Sequence, residues 1–333
     1  MKKTVAFVAA AGVGALAIRR IAALRRSLEA VAPELRTPAM VAASIPVNPL
    51  ALPVLRMAYS FRSNPGPRVA MTDRRAGDTP VHTLVLTPTD FPAPRPAVLW
   101  LHAGAMVAGT AQMEAQPAGR LVRDLGVVVV SPDYRLAPEN PFPAALDDCM
   151  ATLHWMREHA DELGIDRDRI AVCGASSGGG LAAAVAQRAH DEDIRLRAQA
   201  LIYPMIDDRT TLRDDHAGRG RLTWSPSSNR RAWKAYLGRE PRVSDAPEYA
   251  SPARRRDVAG LAPAWVGVGE LDLFYEENVA YAEKLKQAGV ACELVTVPGM
   301  YHGADGVAQS APSMKRFHAS MVQHLRTYLD AAV

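Results

Sequence analysis

Short apolar runs alternate along the chain with longer segments of helical periodicity, from about residue 82 to the C-terminus. The runs are rich in valine, isoleucine and leucine, and one of them, residues 127–130, consists only of valine. Continuous apolar runs of this kind are typical of strands that are buried on both faces of a parallel sheet. The pattern therefore predicts an α/β fold in which helices cover both faces of a mostly parallel central sheet.

The apolar runs predict strands at residues 82–86, 97–101, 127–131, 170–174, 198–203, 264–268 and 292–297. The periodic segments predict helices at residues 112–125, 144–163, 177–191, 277–287 and 314–331. Gly126 and Gly289 fall just past the ends of two of these helices, where a residue with positive φ often stops a helix.

Two segments depart from the alternation. Residues 29–68 place several prolines between short apolar pieces, and residues 207–261 are polar and arginine-rich but also contain Trp224 and Trp233. Ligands bind at the carboxyl ends of the strands in open α/β sheets. We therefore expect one domain, residues 29–333, in which these two segments pack together as a helical lid over that edge.

The first 28 residues place an apolar run, residues 5–18, between two lysines and four arginines. At about 1.5 Å per residue the run spans roughly 21 Å, less than the roughly 30 Å hydrocarbon core of a bilayer. A short membrane anchor or surface helix and a soluble helix that covers the fold both stay open. A cleaved signal is disfavoured because the arginines would resist export. We expect a cytoplasmic or membrane-associated protein.

Composition narrows the function classes. Of 333 residues 48% are hydrophobic, which allows a substantial core, while 22% are charged with both signs interspersed and a formal net charge of +4. Aromatic residues make up 6%, and no basic stripe with interleaved aromatics is present, so no nucleic-acid partner is predicted. The oligomeric state is left open.

The three cysteines, Cys149, Cys173 and Cys292, lack the short paired spacings of a metal site or a disulfide framework. They are predicted to be free thiols. No His-Glu-x-x-His or similar ligand cluster occurs in the sequence. Neither a metal nor another cofactor is expected.

A serine lies between glycines at the junction of a predicted strand and a predicted helix. The sequence Gly174-Ala-Ser176-Ser-Gly178 follows the apolar run 170–173 and precedes a small-residue helix. This is the context of a nucleophile elbow, in which a tight turn exposes the serine hydroxyl at a helix N-terminus. We therefore predict Ser176 to be a nucleophile on a strained turn.

A serine nucleophile needs a base, usually a histidine that is oriented by a carboxylate. Of nine histidines, His302 stands in a loop after the last predicted strand and before the last predicted helix. Asp272, in the loop after the strand at 264–268, is the first candidate for the carboxylate, and Glu270 is the second. The order Ser176, Asp272, His302 is the one found in α/β hydrolases.

Backbone N–H groups are also needed to hold the oxyanion. The loop His102-Ala103-Gly104-Ala105 follows a predicted strand at a suitable place, and the N–H of Ser177 follows the nucleophile. We interpret His102 as a residue that orients this loop rather than as a second base.

Together these motifs resemble the hormone-sensitive-lipase-like (family IV) esterases of the α/β-hydrolase fold, from about residue 81 onward. The matching blocks are His-Ala-Gly-Ala at 102–105, Tyr-Arg-Leu-Ala-Pro-Glu at 134–139, Gly-Ala-Ser-Ser-Gly-Gly at 174–179, Asp-Leu-Phe at 272–274 and His-Gly at 302–303. The resemblance implies oxyanion donors at Gly104, Ala105 and Ser177. It also implies a serine esterase that acts on small-molecule esters with short or medium acyl chains. The apolar lid segments and the few fixed charges near the site indicate that the ester is uncharged.

Ala103 and Ala105 replace glycines of the family pattern. If either position needs positive φ, its Cβ costs about 1 kcal/mol or more, and Ala105 would narrow the space near the reacting carbonyl. An acyltransferase or amidase on the same triad, or a non-catalytic ligand-binding protein of this fold, stays open as an alternative function.

Overall fold

The computed structural model of this protein describes residues 27–38, 40, 47–77, 81–90 and 92–330. The predicted anchor or signal at residues 1–28 therefore lies almost wholly outside the described residues. Among the described residues no helix has the length and apolar character needed to cross a bilayer.

Eight strands form one sheet. They are β1 (Val69–Ala76), β2 (Val81–Pro88), β3 (Arg95–Leu101), β4 (Val128–Pro132), β5 (Ile165–Ala175), β6 (Gln199–Ile202), β7 (Ala264–Gly269) and β8 (Cys292–Val297). Their spatial order is β1-β2-β4-β3-β5-β6-β7-β8. β2 runs antiparallel to both of its neighbours, and all pairs from β4 to β8 are parallel.

Helices lie before, between and after the strands of the described chain. They are α1 (Leu52–Ala58), α2 (Ala115–Leu125), α3 (Ala144–Glu158), α4 (Ala160–Leu163), α5 (Ser177–Asp191), α6 (Pro226–Leu237), α7 (Tyr275–Gln287), α8 (Ala304–Val307) and α9 (Pro312–Leu329). The strand order reverses at β3, because β4 lies on one side of it and β5 on the other. Ligands bind at such a switch point, beyond the carboxyl ends of the strands.

The core has two layers, one on each face of the sheet. In β3, Leu99 and Leu101 join one buried cluster, whereas Val98 and Trp100 join the other, as the alternation of side chains along a strand requires. The first cluster includes α3, α5 and α7, and the second includes α2 and α9. The α/β-hydrolase fold with a mostly parallel sheet and helices on both faces is confirmed.

Each of the seven predicted strands matches an observed strand, but β1 was not predicted. Six of its eight residues are exposed, and it contains Asp73, Arg74 and Arg75, so it carries no apolar run. Charged residues are common on edge strands because they discourage pairing with other chains. The predicted helix 144–163 was wrong in one respect, since the chain turns at His159 between α3 and α4.

The insertion 207–261 is anchored rather than loose. Its helix α6 begins after Ser225, whose hydroxyl accepts a hydrogen bond from the Ser228 N–H, and ends at Gly238 with φ 67°. Trp233 is fully buried. The Val47 N–H donates to Ser228 Oγ at 3.3 Å, which joins the first segment to the insertion. The lid formed by residues 29–68 and 207–261 stays a prediction, and residues 39 and 41–46 of it lie outside the described chain.

Candidate active site

The predicted nucleophile sits on a strained turn between β5 and α5. Ser176 has φ 56° and ψ −120°, outside the regions that L-residues ordinarily adopt. A Cβ at Gly174 would lie 2.3 Å from the Gly178 carbonyl oxygen, and a Cβ at Gly178 would lie 2.0 Å from the carbonyl oxygen of Leu101. Both glycines are therefore required by close backbone approach, which gives the Gly-x-Ser-x-Gly motif its physical reason.

Hydrogen bonds hold this turn in place. The Ser176 N–H donates to the Ile202 carbonyl at 2.9 Å, and its carbonyl accepts from Gly180 at 3.0 Å and Met205 at 2.9 Å. Strained backbone of this kind persists only where the surrounding structure fixes it. The turn is tied both to β6 and to the segment after it.

A chain of hydrogen bonds connects the serine to a histidine and the histidine to a carboxylate. His302 Nε2 lies 2.9 Å from Ser176 Oγ, and His302 Nδ1 lies 2.7 Å from Asp272 Oδ2. Asp272 is fully buried, and its Oδ1 accepts the Phe274 N–H at 2.9 Å. Glu270, the second candidate for the carboxylate, is exposed. The structure thus brings Ser176, His302 and Asp272 together.

The His302 ring is enclosed by aromatic side chains. Its centroid lies 4.7 Å from that of Tyr203 and 5.3 Å from that of Phe274, both in edge-on arrangements. The Tyr203 hydroxyl donates to Asp305 Oδ1 at 2.7 Å. Burial raises the pKa of both Tyr203 and Asp305 above their ordinary values.

The insertion also holds the histidine loop. Thr223 Oγ1 lies 2.6 Å from the carbonyl oxygen of His302. Thr223 has φ 60°, a conformation that β-branched residues rarely adopt. Sequence reasoning missed Thr223 and Tyr203, because neither belongs to a motif and each reaches His302 only through the tertiary fold.

The loop after β3 has an unusual backbone. Gly104 has φ 133°, Ala105 has φ 58° and Met106 has φ 62°. The expected cost of a Cβ therefore applies at Ala105, whereas Ala103 is not in the positive-φ region. No described residue accepts a hydrogen bond from the N–H of Gly104 or Ala105. Ser177 is the first residue of α5. Its N–H has no acceptor within the helix, because the first four N–H groups of an α-helix lack a preceding carbonyl partner.

His102 lies beneath this loop and is fully buried. Its Nδ1 is 2.8 Å from the Ala103 carbonyl oxygen, and its ring stacks on Tyr134 at 4.1 Å with planes 8° apart. Burial lowers the pKa of His102, which favours the neutral form of its imidazole. These contacts support the interpretation of His102 as a loop-orienting residue.

Two adjoining cavities open beside Ser176. The smaller, of about 200 Å³, is lined by the serine, His302 and the 103–105 loop, with Tyr59 and Trp224 closing its sides. The larger, of about 770 Å³, has mostly apolar walls. They share Tyr59, Tyr203 and Val307. These three side chains therefore lie at the boundary between the two cavities.

Charged and metal-binding groups are sparse near the serine. None of the described residues that line the smaller cavity is Lys, Arg, Asp or Glu. Within the described ranges, no group of three or more His, Cys, Asp or Glu side chains is placed to hold a metal ion. The cysteines are free thiols.

The chain is similar over much of its length to known proteins. A family model described as the α/β-hydrolase fold matches residues 98–305. The chain is 32% identical to the esterase LipI of Mycobacterium tuberculosis over 243 residues, which cover 70% of this chain and 74% of that protein. It is 34% identical to an ethyl acetate hydrolase of Pseudomonas putida over 248 residues, with the same coverage of 70% and 74%.

Among solved structures, a bacterial heroin esterase superimposes with a TM-score of 0.82 and 33% sequence identity. The superposition covers 91% of this chain and 99% of that one. The esterase LipW of Mycobacterium marinum superimposes with a TM-score of 0.80 at 30% identity, and covers 91% and 98% of the two chains. The likeness extends well beyond the serine motif, to nearly the whole length of each.

Proposed function

The chain belongs to the α/β-hydrolase family, among its hormone-sensitive-lipase-like esterases, and we propose that it is a serine carboxylesterase acting through Ser176, His302 and Asp272. One observation carries the proposal: hydrogen bonds of 2.9 and 2.7 Å run from Ser176 Oγ through His302 to Asp272. A serine hydroxyl in line with an oriented imidazole is the arrangement that nucleophilic acyl transfer requires.

In this mechanism His302 Nε2 accepts the proton of Ser176 as Oγ attacks the ester carbonyl. Asp272 holds Nδ1–H and stabilises the imidazolium that forms. His302 then donates its proton to the leaving alcohol, and an acyl-enzyme remains on Ser176. Water, deprotonated by the same histidine, hydrolyses that acyl-enzyme and restores the serine.

The negative charge on the tetrahedral oxygen needs donors that are already oriented. We assign this role to the backbone N–H groups of Gly104, Ala105 and Ser177. The free N–H groups of the loop and the N-terminus of α5 support the assignment, because both favour negative charge beside Ser176.

Two features support an uncharged ester as substrate. None of the described residues that line the smaller cavity is Lys, Arg, Asp or Glu, so a charged group placed there would lose water without gaining an oppositely charged partner. The adjoining larger cavity is mostly apolar, and each methylene buried in such a space contributes about 0.8 kcal/mol. We place the acyl chain of a short- or medium-chain ester in it.

The first experiment is hydrolysis of p-nitrophenyl butyrate by the wild type and by Ser176→Ala. Ser244→Ala is the matched control, because Ser244 is exposed in the insertion and its hydroxyl donates to Asp245 Oδ1 at 2.8 Å. Activity should be lost only in the first variant. Retention of most activity by Ser176→Ala would disprove the assignment.

The alternative functions predict different results. A non-catalytic binding protein would not activate its serine, so a fluorophosphonate would fail to label Ser176 stoichiometrically. An acyltransferase or amidase would label normally, but would favour added alcohols or amines over water as acceptors, or would cleave amides. Membrane association through residues 1–28 is tested separately, by fractionation of the full chain and of a version that lacks them.

A further inference from the structure

Two consecutive peptide groups lead from His102 to Gly104, and the first is held at both ends. The carbonyl oxygen of His102 accepts the hydroxyl of Tyr134 at 2.7 Å. The N–H of the same peptide group, on Ala103, donates to Glu114 Oε1 at 2.9 Å. Because a peptide group is planar, hydrogen bonds at its two ends fix the orientation of its plane.

The second peptide group is held at one end only. The Ala103 carbonyl is 2.8 Å from His102 Nδ1, and since a carbonyl can only accept, this nitrogen carries the proton. In a trans peptide the N–H points away from the carbonyl oxygen. The Gly104 N–H is therefore directed away from His102, and no described residue accepts it.

Glu114 joins this loop to the sheet. Its Oε1 accepts the Ala103 N–H, and its Oε2 accepts Trp100 Nε1–H at 2.6 Å. Trp100 is a buried residue of β3. Each of the two oxygens accepts one N–H, which a carboxyl group allows in either protonation state, whereas a glutamine offers one acceptor oxygen and would turn an N–H₂ towards one of the donors.

We propose that Glu114 is a positioning residue for ester hydrolysis, which sets the plane of the Ala103 peptide and through it the direction of the Gly104 N–H. The proposal rests on the proposed function, because it concerns the donors that would stabilise the oxyanion. Glu114 itself acts at a distance from the reacting atoms, through the backbone. Its loss should weaken transition-state stabilisation more than substrate binding.

The test compares the full-length wild type with Glu114→Gln. Glu158→Gln is the matched control, since Glu158 is exposed at the end of α3. Because loss of one oxyanion donor costs about 10²- to 10³-fold in kcat, misdirection of one donor should cost roughly tenfold. We expect that loss in kcat for p-nitrophenyl butyrate, with KM changed by less than about twofold.

A second readout separates positioning from a merely structural role. A trifluoromethyl ketone forms a tetrahedral oxyanion on a serine, so its Ki should rise in Glu114→Gln by the same factor as kcat falls. Tyr134→Phe, which removes the hydroxyl from the other end of the same peptide but keeps the ring, should change both quantities in the same direction. If Glu114→Gln fails to fold, Tyr134→Phe still tests whether the orientation of this peptide group affects catalysis.

The proposal is overturned if folded Glu114→Gln and Tyr134→Phe keep wild-type kcat and ketone affinity. It is also overturned if kcat falls while the ketone Ki stays constant. Either result leaves the proposed function intact as long as Ser176→Ala is inactive. If Ser176→Ala is active, the proposed function fails first, and the two failures are distinguishable.

Discussion

Asp272 Oδ2 lies 2.7 Å from His302 Nδ1, and the Asp272 side chain is fully buried. Its other oxygen accepts the Phe274 N–H at 2.9 Å, so both carboxylate oxygens have partners. A carboxylate that is held in this way fixes the imidazole tautomer with its proton on Nδ1, and leaves Nε2 free to accept from Ser176.

Replacement of Asp272 by asparagine should lower kcat/KM by about 10³- to 10⁴-fold, because an amide N–H₂ facing Nδ1 favours the wrong tautomer. Glu270→Gln should stay near the wild type, since Glu270 is exposed. Steady-state kinetics on p-nitrophenyl butyrate measure both variants. A large loss in Glu270→Gln with little loss in Asp272→Asn would reverse the assignment of the acid.

Sequence reasoning identified the parts of the site that are encoded by local pattern. Ser176 was found because two glycines, a strand and a helix lie within a few residues of it. The residues that act through distant contacts carry no such signal. Thr223 is 79 positions from His302. Glu114 lies at the end of a short 3₁₀ helix, whereas its hydrogen-bond partner Ala103 lies in the loop after β3.

The same limit applies to the fold. Buried strands such as β4 can be predicted from their continuous apolar sequence. β1, in contrast, pairs through its backbone and exposes most of its side chains. An edge strand gains its hydrogen bonds from a neighbour and needs no apolar pattern of its own. Its presence follows from pairing with β2.

Thr223→Val should reduce kcat by about three- to tenfold, because it keeps the shape of the side chain but removes the hydroxyl, which lies 2.6 Å from the carbonyl oxygens of both His302 and Leu222. Thr223→Ser is the matched variant, since it keeps the hydroxyl and should retain most of the activity. Measurement of kcat and KM for both variants tests this. Equal losses in the two would mean that packing rather than the hydroxyl is responsible.

Ala105→Gly should shift preference towards bulky alcohols. Ala105 lines the smaller cavity and has φ 58°, so removal of its Cβ both widens the space and relieves about 1 kcal/mol of backbone strain. The expected result is a higher ratio of tert-butyl acetate to n-butyl acetate hydrolysis than in the wild type. An unchanged ratio would show that Ala105 does not limit the alcohol site.

Val307 stands at the boundary between the two cavities and is 37% exposed, so a larger side chain fits there without a buried clash. If the acyl chain enters the larger cavity as we propose, Val307→Trp should obstruct its path and lower activity on p-nitrophenyl octanoate about tenfold or more relative to the acetate. Val307→Ala should move the ratio in the opposite direction. A chain-length profile that neither variant changes would exclude the larger cavity as the acyl site.

Glu114 should also make stability depend on pH. Burial raises the pKa of its carboxyl from 4.5 to about 7, so between these values the folded state keeps a proton that the unfolded state has released. The contribution to the free energy of unfolding is complete below about pH 4.5 and declines as pH rises to about 7, by up to about 3 kcal/mol. Glu114 is only partly buried and lines the larger cavity, so exposure to solvent reduces that figure.

Glutamine does not titrate, so urea unfolding of the wild type and Glu114→Gln at pH values from about 4.5 to 8 isolates this effect. The wild type should lose stability relative to the variant across that interval, because Glu114 is the only group that differs between them. The shifted carboxyl of Asp305 titrates in both proteins and largely cancels in the difference. A stability difference that stays constant with pH would mean that the Glu114 carboxyl ionises near its ordinary pKa, and therefore keeps its charge throughout this range.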